Sequence, residues 1–100
     1  MYTIVEMPDF TAKADKLWQA DERLEFFSYL TQNPLDGDVI AGARGLRKIR
    51  WSREGMGKRS GVRIIYLNVL RDGVILMWDI YAKSDKENIS AKELKKLRGN

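Results

Sequence analysis

The 100-residue sequence contains no cysteine and no histidine, and each absence removes a class of chemistry. Without cysteine there can be no disulfide, no catalytic thiol and no cysteine-ligated zinc, which fits a reducing compartment such as the cytoplasm. Without histidine, the most frequent general base and metal ligand is missing. Any acid–base chemistry must therefore use lysine, tyrosine or a carboxylate, with arginine as a stabiliser of negative charge.

Long apolar runs are missing as well. Pro8, Asp9, Lys13 and Asp15 interrupt the apolar residues near the N-terminus, so we expect neither a secretory signal nor a membrane-spanning helix. What the chain does contain is 44% apolar residues and three tryptophans, the composition of a folded protein. A chain of this length has room for one hydrophobic core, which predicts a single domain over residues 1–100.

The net charge of +4 hides an uneven distribution of charged side chains. Residues 1–43 carry eight acidic and three basic side chains, whereas residues 44–63 carry eight basic and one acidic. A net charge of +7 in this short block points to a polyanionic partner such as RNA or DNA. The alternative is a solvated, charged loop, which is the commoner reason for a run of charge.

The spacing of apolar residues predicts a short strand and two helices in the first half. Residues 2–6 alternate as a strand does. Proline fits the first turn of a helix, so Pro8 marks the start of the first one. The second begins near Asp21, a good N-cap, and ends at Asn33, because the residue before Pro34 is pushed out of the helical region. The apolar sides are predicted to be Phe10, Ala14 and Leu17 in the first helix and Leu24, Phe26, Phe27 and Leu30 in the second.

The second half changes to the period of β-structure. Asp72 and Gly73 form the favoured pair for a hairpin turn, and Ser90 with Glu93 forms a capping box that begins a C-terminal helix. Helices followed by a meander of strands describe an α+β domain: two N-terminal helices on a twisted antiparallel sheet of about four strands, with the other face open for function. The predicted strands are residues 39–40, 46–51, 62–70 and 74–82.

Three basic residues are predicted to share one face of this sheet. Side chains alternate across a strand, so Lys48 and Arg50 point the same way and Ile49 points into the core. If the strands flanking residues 52–61 pair antiparallel, Arg63 lies beside them. Like charges placed opposite each other destabilise a sheet, a conflict usually kept where a ligand resolves it. Because arginine binds phosphate oxygens through paired N–H groups, this face is a candidate nucleic-acid site, although any one of these residues alone is more simply a solvated charge.

At these residues the sequence resembles the RelE/HigB family of bacterial toxins from type II toxin–antitoxin pairs. The resemblance covers nearly the whole chain and is densest in GDVIAGARGLRKIRWSREGMGKRSGVRIIYL (residues 37–67) and DIYAKSDKENIS (residues 79–90). It implies a small RelE-like α+β toxin with a concave basic site. It also implies a metal-independent endoribonuclease without a cofactor, which enters the ribosomal A site and cuts mRNA by attack of a ribose 2′-OH on the neighbouring phosphodiester.

The resemblance also implies roles for single residues. Lys48 and Arg50 match the paired basic positions of the family, and Arg63 matches the arginine that contacts the scissile phosphate. Tyr81 and Lys83 lie where members of the family supply a further cation or a proton donor. This chain departs from the best-known pattern there, since no arginine follows the lysine and no tyrosine follows Tyr81, so both stay candidates for the donor. The residues predicted to bind ribosomal RNA are Arg47, Arg53, Lys58 and Arg59.

The implied partners are the ribosome, mRNA and a HigA-like helix-turn-helix antitoxin, with operator DNA bound only through the antitoxin. Two other functions remain open. One is a ParE-like toxin, which shares the fold and poisons DNA gyrase; Lys48, Arg50 and Arg63 argue against it, because ParE toxins lack the cations of the nuclease. The other is an RNA-binding module or decayed toxin that no longer cuts. A cytoplasmic location without membrane contact is expected for all three.

Overall fold

The computed structural model describes residues 2–51 and 61–82 of the chain. The predicted C-terminal helix and the connection over residues 52–60 lie outside these ranges. Neither of the helices in the described ranges is long and apolar enough to cross a membrane. In chain order the elements are β1 (Thr3–Glu6), α1 (Pro8–Leu17), α2 (Ala20–Gln32), β2 (Asp38–Val39), β3 (Arg47–Trp51), β4 (Val62–Val69), a 3₁₀ turn (Leu70–Asp72) and β5 (Val74–Ala82).

The five strands form one sheet in the order β1-β5-β4-β3-β2. Strands β2 to β5 pair antiparallel in sequence order, as the meander predicts, and β1 pairs parallel to β5 at the far edge. The predicted α+β class is confirmed. The sheet has five strands and mixed pairing rather than about four antiparallel strands, because β1 joins the last strand of the meander and no local pattern reports so distant a pairing.

Both helices lie where the apolar spacing predicts them. Helix α1 begins at Pro8, whose missing N–H is not needed in the first turn. Helix α2 begins at Ala20 with Gln19 as its N-cap, so the prediction that Asp21 caps this helix is wrong. Asp21 instead lies in the first turn, where a negative side chain interacts favourably with the helix dipole.

The apolar side of α2 is narrower than the sequence predicts. Phe26 and Leu30 are buried, but Leu24 is 67% exposed. Residues four apart nearly coincide around a helix, whereas Leu24 lies about 120° from Leu30 around the axis. The prediction that Leu24 belongs to the buried side is therefore wrong.

Replacing Leu24 by alanine should change the free energy of unfolding by less than about 0.5 kcal/mol, because the substitution removes no buried contact and alanine favours a helix. Denaturant unfolding of the variant and the unmodified protein measures the difference. A loss above about 1 kcal/mol would show that Leu24 packs against the protein after all.

The sheet separates two apolar clusters. The larger one lies between the helices and the sheet and contains Phe10, Phe26, Ile64 and Met77 among others. The smaller one lies on the opposite face, where the segment over residues 40–46 folds onto the strands. The face that the sequence predicts to be open is therefore partly covered. The buried residues of this second cluster are Ala43, Leu46, Ile65, Trp78 and Tyr81.

Candidate nucleic-acid interface

The register of the central strands places two arginines and a tyrosine in one row. Arg50 on β3 is opposite Arg63 on β4, and Arg63 is opposite Tyr81 on β5. Directly opposed residues share a face of the sheet. Lys48 pairs with Ile65, two residues away on each strand, and so lies on the same face. The predicted sharing of a face by Lys48, Arg50 and Arg63 is confirmed, and Tyr81 joins them.

Arg47 lies on the other side of β3. Its Nη1 donates hydrogen bonds to the carbonyl oxygens of Gly37 at 2.8 Å and Leu35 at 3.3 Å. This side chain ties the segment before β2 to the sheet and is not part of the row. The remaining predicted site residues fall outside the described ranges; they are Arg53, Lys58, Arg59 and Lys83.

Exposure decreases along the row from β3 to β5. Arg50 is exposed and Lys48 is half-buried, whereas Arg63 is only 8% exposed and Tyr81 is buried. The sequence predicts Arg63 on an exposed face, and this prediction is wrong. Strand β4 lies between β3 and β5, and its neighbours on this face include the second apolar cluster.

The guanidinium of Arg63 has an unsatisfied donor. Its Nη1 is buried and finds no hydrogen-bond partner in the part of the chain that the structure describes. A buried donor without a partner costs about 1–3 kcal/mol, and more when it is charged. Arg50 directly opposite adds like-charge repulsion. Both costs would fall if an anion with several acceptor oxygens, such as a phosphate, bound between the two guanidinium groups.

Tyr81 is a candidate proton donor at the inner end of the row. Its burial raises the pKa of the phenol; the positive charge of Arg63 acts in the opposite direction, and the negative charge of Asp79 raises the pKa further. The net effect is a phenol that keeps its proton at neutral pH. An arginine that binds phosphate beside a phenol that can donate a proton is an arrangement suited to phosphodiester chemistry.

A second tyrosine supports the row from the opposite face. Tyr66 is fully buried, and its hydroxyl accepts a hydrogen bond from the Gly37 N–H at 2.8 Å and donates one to the Pro34 carbonyl at 2.9 Å. Asn68 donates to the same carbonyl at 2.8 Å. These bonds fix the segment leading to β2, and thereby the outer edge beside β3.

Two of these residues escaped the sequence analysis. The sequence assigns no role to Tyr66, because its hydrogen bonds to a distant loop carry no local sequence signal. Asp79 is 1% exposed within an apolar strand and contacts Lys13 through an Nζ–Oδ1 distance of 2.8 Å. A single carboxylate inside an otherwise apolar strand was a signal that could have drawn attention to it. Within the described ranges, no group of three histidine, cysteine, aspartate or glutamate side chains is placed to hold a metal ion.

Comparison with known proteins bears on the fold. No family model matches the chain. Among solved structures, the chain is similar to a mutant of the E. coli toxin RelE in the free state, in which two arginines are replaced by alanine. The TM-score is 0.65 at 15% sequence identity, and the similarity covers 97% of this chain and 96% of that chain. The two helices, the mixed sheet and this similarity over nearly the full length of both chains identify the fold as that of a RelE toxin.

Proposed function

We propose that this protein is the toxin of a type II toxin–antitoxin pair and cuts mRNA in the A site of the ribosome. The observation that carries the proposal is the buried Nη1 of Arg63, which has no hydrogen-bond partner in residues 2–51 and 61–82 and is aligned with Arg50 and Tyr81 on one face of a RelE-type fold. An unsatisfied cationic donor that persists in a folded protein calls for a ligand, and a phosphodiester has the charge and oxygens to satisfy it.

The proposed reaction has three roles, which four side chains fill. Lys48, in its neutral amine form, takes the proton of the ribose 2′-OH and becomes an ammonium, while the 2′ oxygen attacks the adjacent phosphorus. Arg50 and Arg63 stabilise the additional negative charge that develops on the phosphoryl oxygens. Tyr81 donates a proton to the departing 5′ oxygen as the P–O bond breaks. The products are a 2′,3′-cyclic phosphate and a free 5′-OH, and side chains fill every role in the proposed chemistry.

Binding to the ribosome would use further cations. Arg53, Lys58 and Arg59 are proposed contacts to ribosomal RNA, and Lys83 remains a second candidate for the proton donor. Arg47 is left out of this set, because its guanidinium already donates to two carbonyl oxygens on the opposite face of β3.

The proposed regulator is a HigA-like antitoxin with a helix-turn-helix domain, which would also carry the pair to its operator DNA. On β3, Arg50 is exposed and Lys48 is half-buried, whereas Arg63 on β4 is buried. An acidic segment of the antitoxin would therefore neutralise Arg50 and Lys48 without reaching Arg63. Because its substrate is translated mRNA, we propose that the toxin acts in the cytoplasm.

A cell-free translation reaction tests this function. Purified protein is added to reactions with and without ribosomes, and the 5′ ends of the mRNA are mapped together with the chemistry of both new ends. We expect cuts within codons of the A site that require ribosomes and leave a 2′,3′-cyclic phosphate. A parallel assay follows supercoiling by DNA gyrase. Intact mRNA with blocked supercoiling would favour the ParE-like alternative, and no effect in either assay would favour a module that does not cut.

A further inference from the structure

Asp79 is a buried carboxylate that packing does not explain. It is almost fully buried, and within the part of the chain that the structure describes only one of its two oxygens has a hydrogen-bond partner. Oδ1 accepts hydrogen bonds from Lys13 Nζ at 2.8 Å and from the Ile80 N–H at 2.9 Å. Oδ2 is buried and has no hydrogen-bond partner within the described ranges. An apolar residue would avoid the cost of this desolvated charge, so the carboxylate calls for a role.

Asp79 lies on the face of the sheet that carries Arg63 and Tyr81. The register of β4 and β5 shifts between Ile65 and Tyr66, and beyond the shift the pairing is regular, with Asp79 opposite Ile65 and Tyr81 opposite Arg63. Asp79 and Tyr81 are two residues apart on this regular run, so they share a face with about 7 Å between their Cα atoms. Asp79 is thus a diagonal neighbour of Arg63.

Two opposite charges lie close to Tyr81: Arg63 is directly across on β4, and Asp79 is two residues away on β5. Burial is the largest cause of its raised pKa, the cation of Arg63 acts to lower it, and the anion of Asp79 acts to raise it. Of the elements packed here, β4 presents Arg63 and α1 presents Lys13, which contacts Asp79. The other neighbours of Tyr81 in the second cluster are apolar: Ala43, Leu46, Ile65 and Trp78.

Arg63 and Tyr81 have conflicting electrostatic requirements. A guanidinium close to a phenol favours the phenolate, which cannot donate a proton. A carboxylate close to the same phenol counters that effect. We propose that Asp79 is a positioning residue, whose carboxylate, held in place by Lys13, offsets the charge of Arg63 and so adds to the effect of burial in holding the proton on Tyr81. The link to catalysis rests on the proposed function, whereas the electrostatic effect on Tyr81 does not.

Two variants separate the charge of Asp79 from its ion pair. Asp79→Asn and Lys13→Gln both remove the ion pair, but only the first removes the negative charge near Tyr81. The ionisation of each tyrosine is followed by NMR with ring-labelled tyrosine, and the Tyr81→Phe variant assigns its signal. We expect Tyr81 to ionise at lower pH in Asp79→Asn and at the same or a higher pH in Lys13→Gln, while the other tyrosines serve as internal references.

Equal shifts in both variants, or no shift in Asp79→Asn, would overturn the proposal and leave Asp79 a structural residue. If Asp79→Asn does not fold, Asp79→Ser removes the same charge and keeps an oxygen for the Ile80 N–H. Lys13 is 47% exposed, so glutamine fits at this position, and its amide N–H groups can still donate to Asp79, although the buried carboxylate loses its counter-charge.

The pH profile of mRNA cleavage on ribosomes tests the catalytic link. In Asp79→Asn the alkaline limb of the profile should move to lower pH, and in Lys13→Gln it should not, although both lose the ion pair. A purely structural role would lower the rate at every pH in both variants and would overturn the link. If the unmodified protein cuts no mRNA, the proposed function fails, and the titration of Tyr81 still decides the role of Asp79.

Discussion

Replacing Arg63 by methionine is expected to abolish mRNA cleavage while the free energy of unfolding stays unchanged or increases. The variant loses the guanidinium that would bind the scissile phosphate, and removal of one such donor lowers a rate by about 10²–10³-fold. Methionine keeps an unbranched apolar stem and removes the buried donor that has no partner in the described ranges. It also removes the repulsion from Arg50 directly opposite. Replacing a poorly satisfied buried charge with an apolar residue is often neutral or stabilising.

Arg71 supplies the matched control for this experiment. It is 92% exposed in the connection between β4 and β5, at the opposite end of β4 from Arg63. Arg71→Met changes the net charge equally and should leave the cleavage rate within about twofold, since surface substitutions away from a site have small effects. Cleavage rates on ribosomes and thermal unfolding are measured for both variants. Full cleavage by Arg63→Met, or a loss of more than about 1 kcal/mol in its stability, would refute the role assigned to Arg63.

Replacing Gly37 by alanine should lower the free energy of unfolding by about 2–4 kcal/mol, since it both overpacks a buried site and disrupts a buried hydrogen bond. A Cβ atom at this position would lie 2.7 Å from the Tyr66 hydroxyl and 2.8 Å from its Cε1. The ring is fully buried and its hydroxyl is bonded to Gly37 and to Pro34, so neither partner can move away without breaking those bonds. Equilibrium unfolding in denaturant measures the loss.

Gly45 and Tyr66→Phe provide the controls for this prediction. At Gly45 the nearest atom to an added Cβ is 3.5 Å away, but φ is +91°, so alanine there is strained by backbone conformation rather than by contact. We expect Tyr66→Phe, which removes the nearest atom, to reduce the cost of Gly37→Ala by about 1 kcal/mol and to leave the cost of Gly45→Ala unchanged. If Tyr66→Phe changed the cost of both glycine substitutions equally, the contact with Tyr66 would not be the cause of the instability of Gly37→Ala.

The sequence predicted the row of cations because it depends on short-range rules. Side chains alternate along β3 and β4 with a period of two, and these neighbouring strands pair in a single antiparallel register. Alternation places Lys48 with Arg50, and pairing adds Arg63. The same rules correctly set Ile49 on the side of the core. The buried stripe of α1 follows in the same way from the helical period.

Contacts between distant segments decided the rest. The sequence predicts an open face, but residues 40–46 fold over it, and Arg63 is buried. Alternation along β3 placed Arg47 on the other face of the sheet from Lys48. Only the fold, however, brought the carbonyl groups of residues 35 and 37 within reach of the Arg47 guanidinium. Asp79 contacts Lys13, which is 66 residues away in the sequence. Strand β1 pairs with β5, the last strand of the sheet in chain order, rather than with the strand that follows it in the sequence.

One physical reason separates the features that the sequence predicts from those that only the tertiary structure decides. Periodicity and turn chemistry act over a few residues, so the amino-acid order alone set the class of the fold, the central strands and the face that carries the cations. Burial and the pKa of a side chain depend on everything packed around it. Only the folded chain could therefore leave a guanidinium donor without a partner among the described residues and bring the charges of Arg63 and Asp79 close to the phenol of Tyr81.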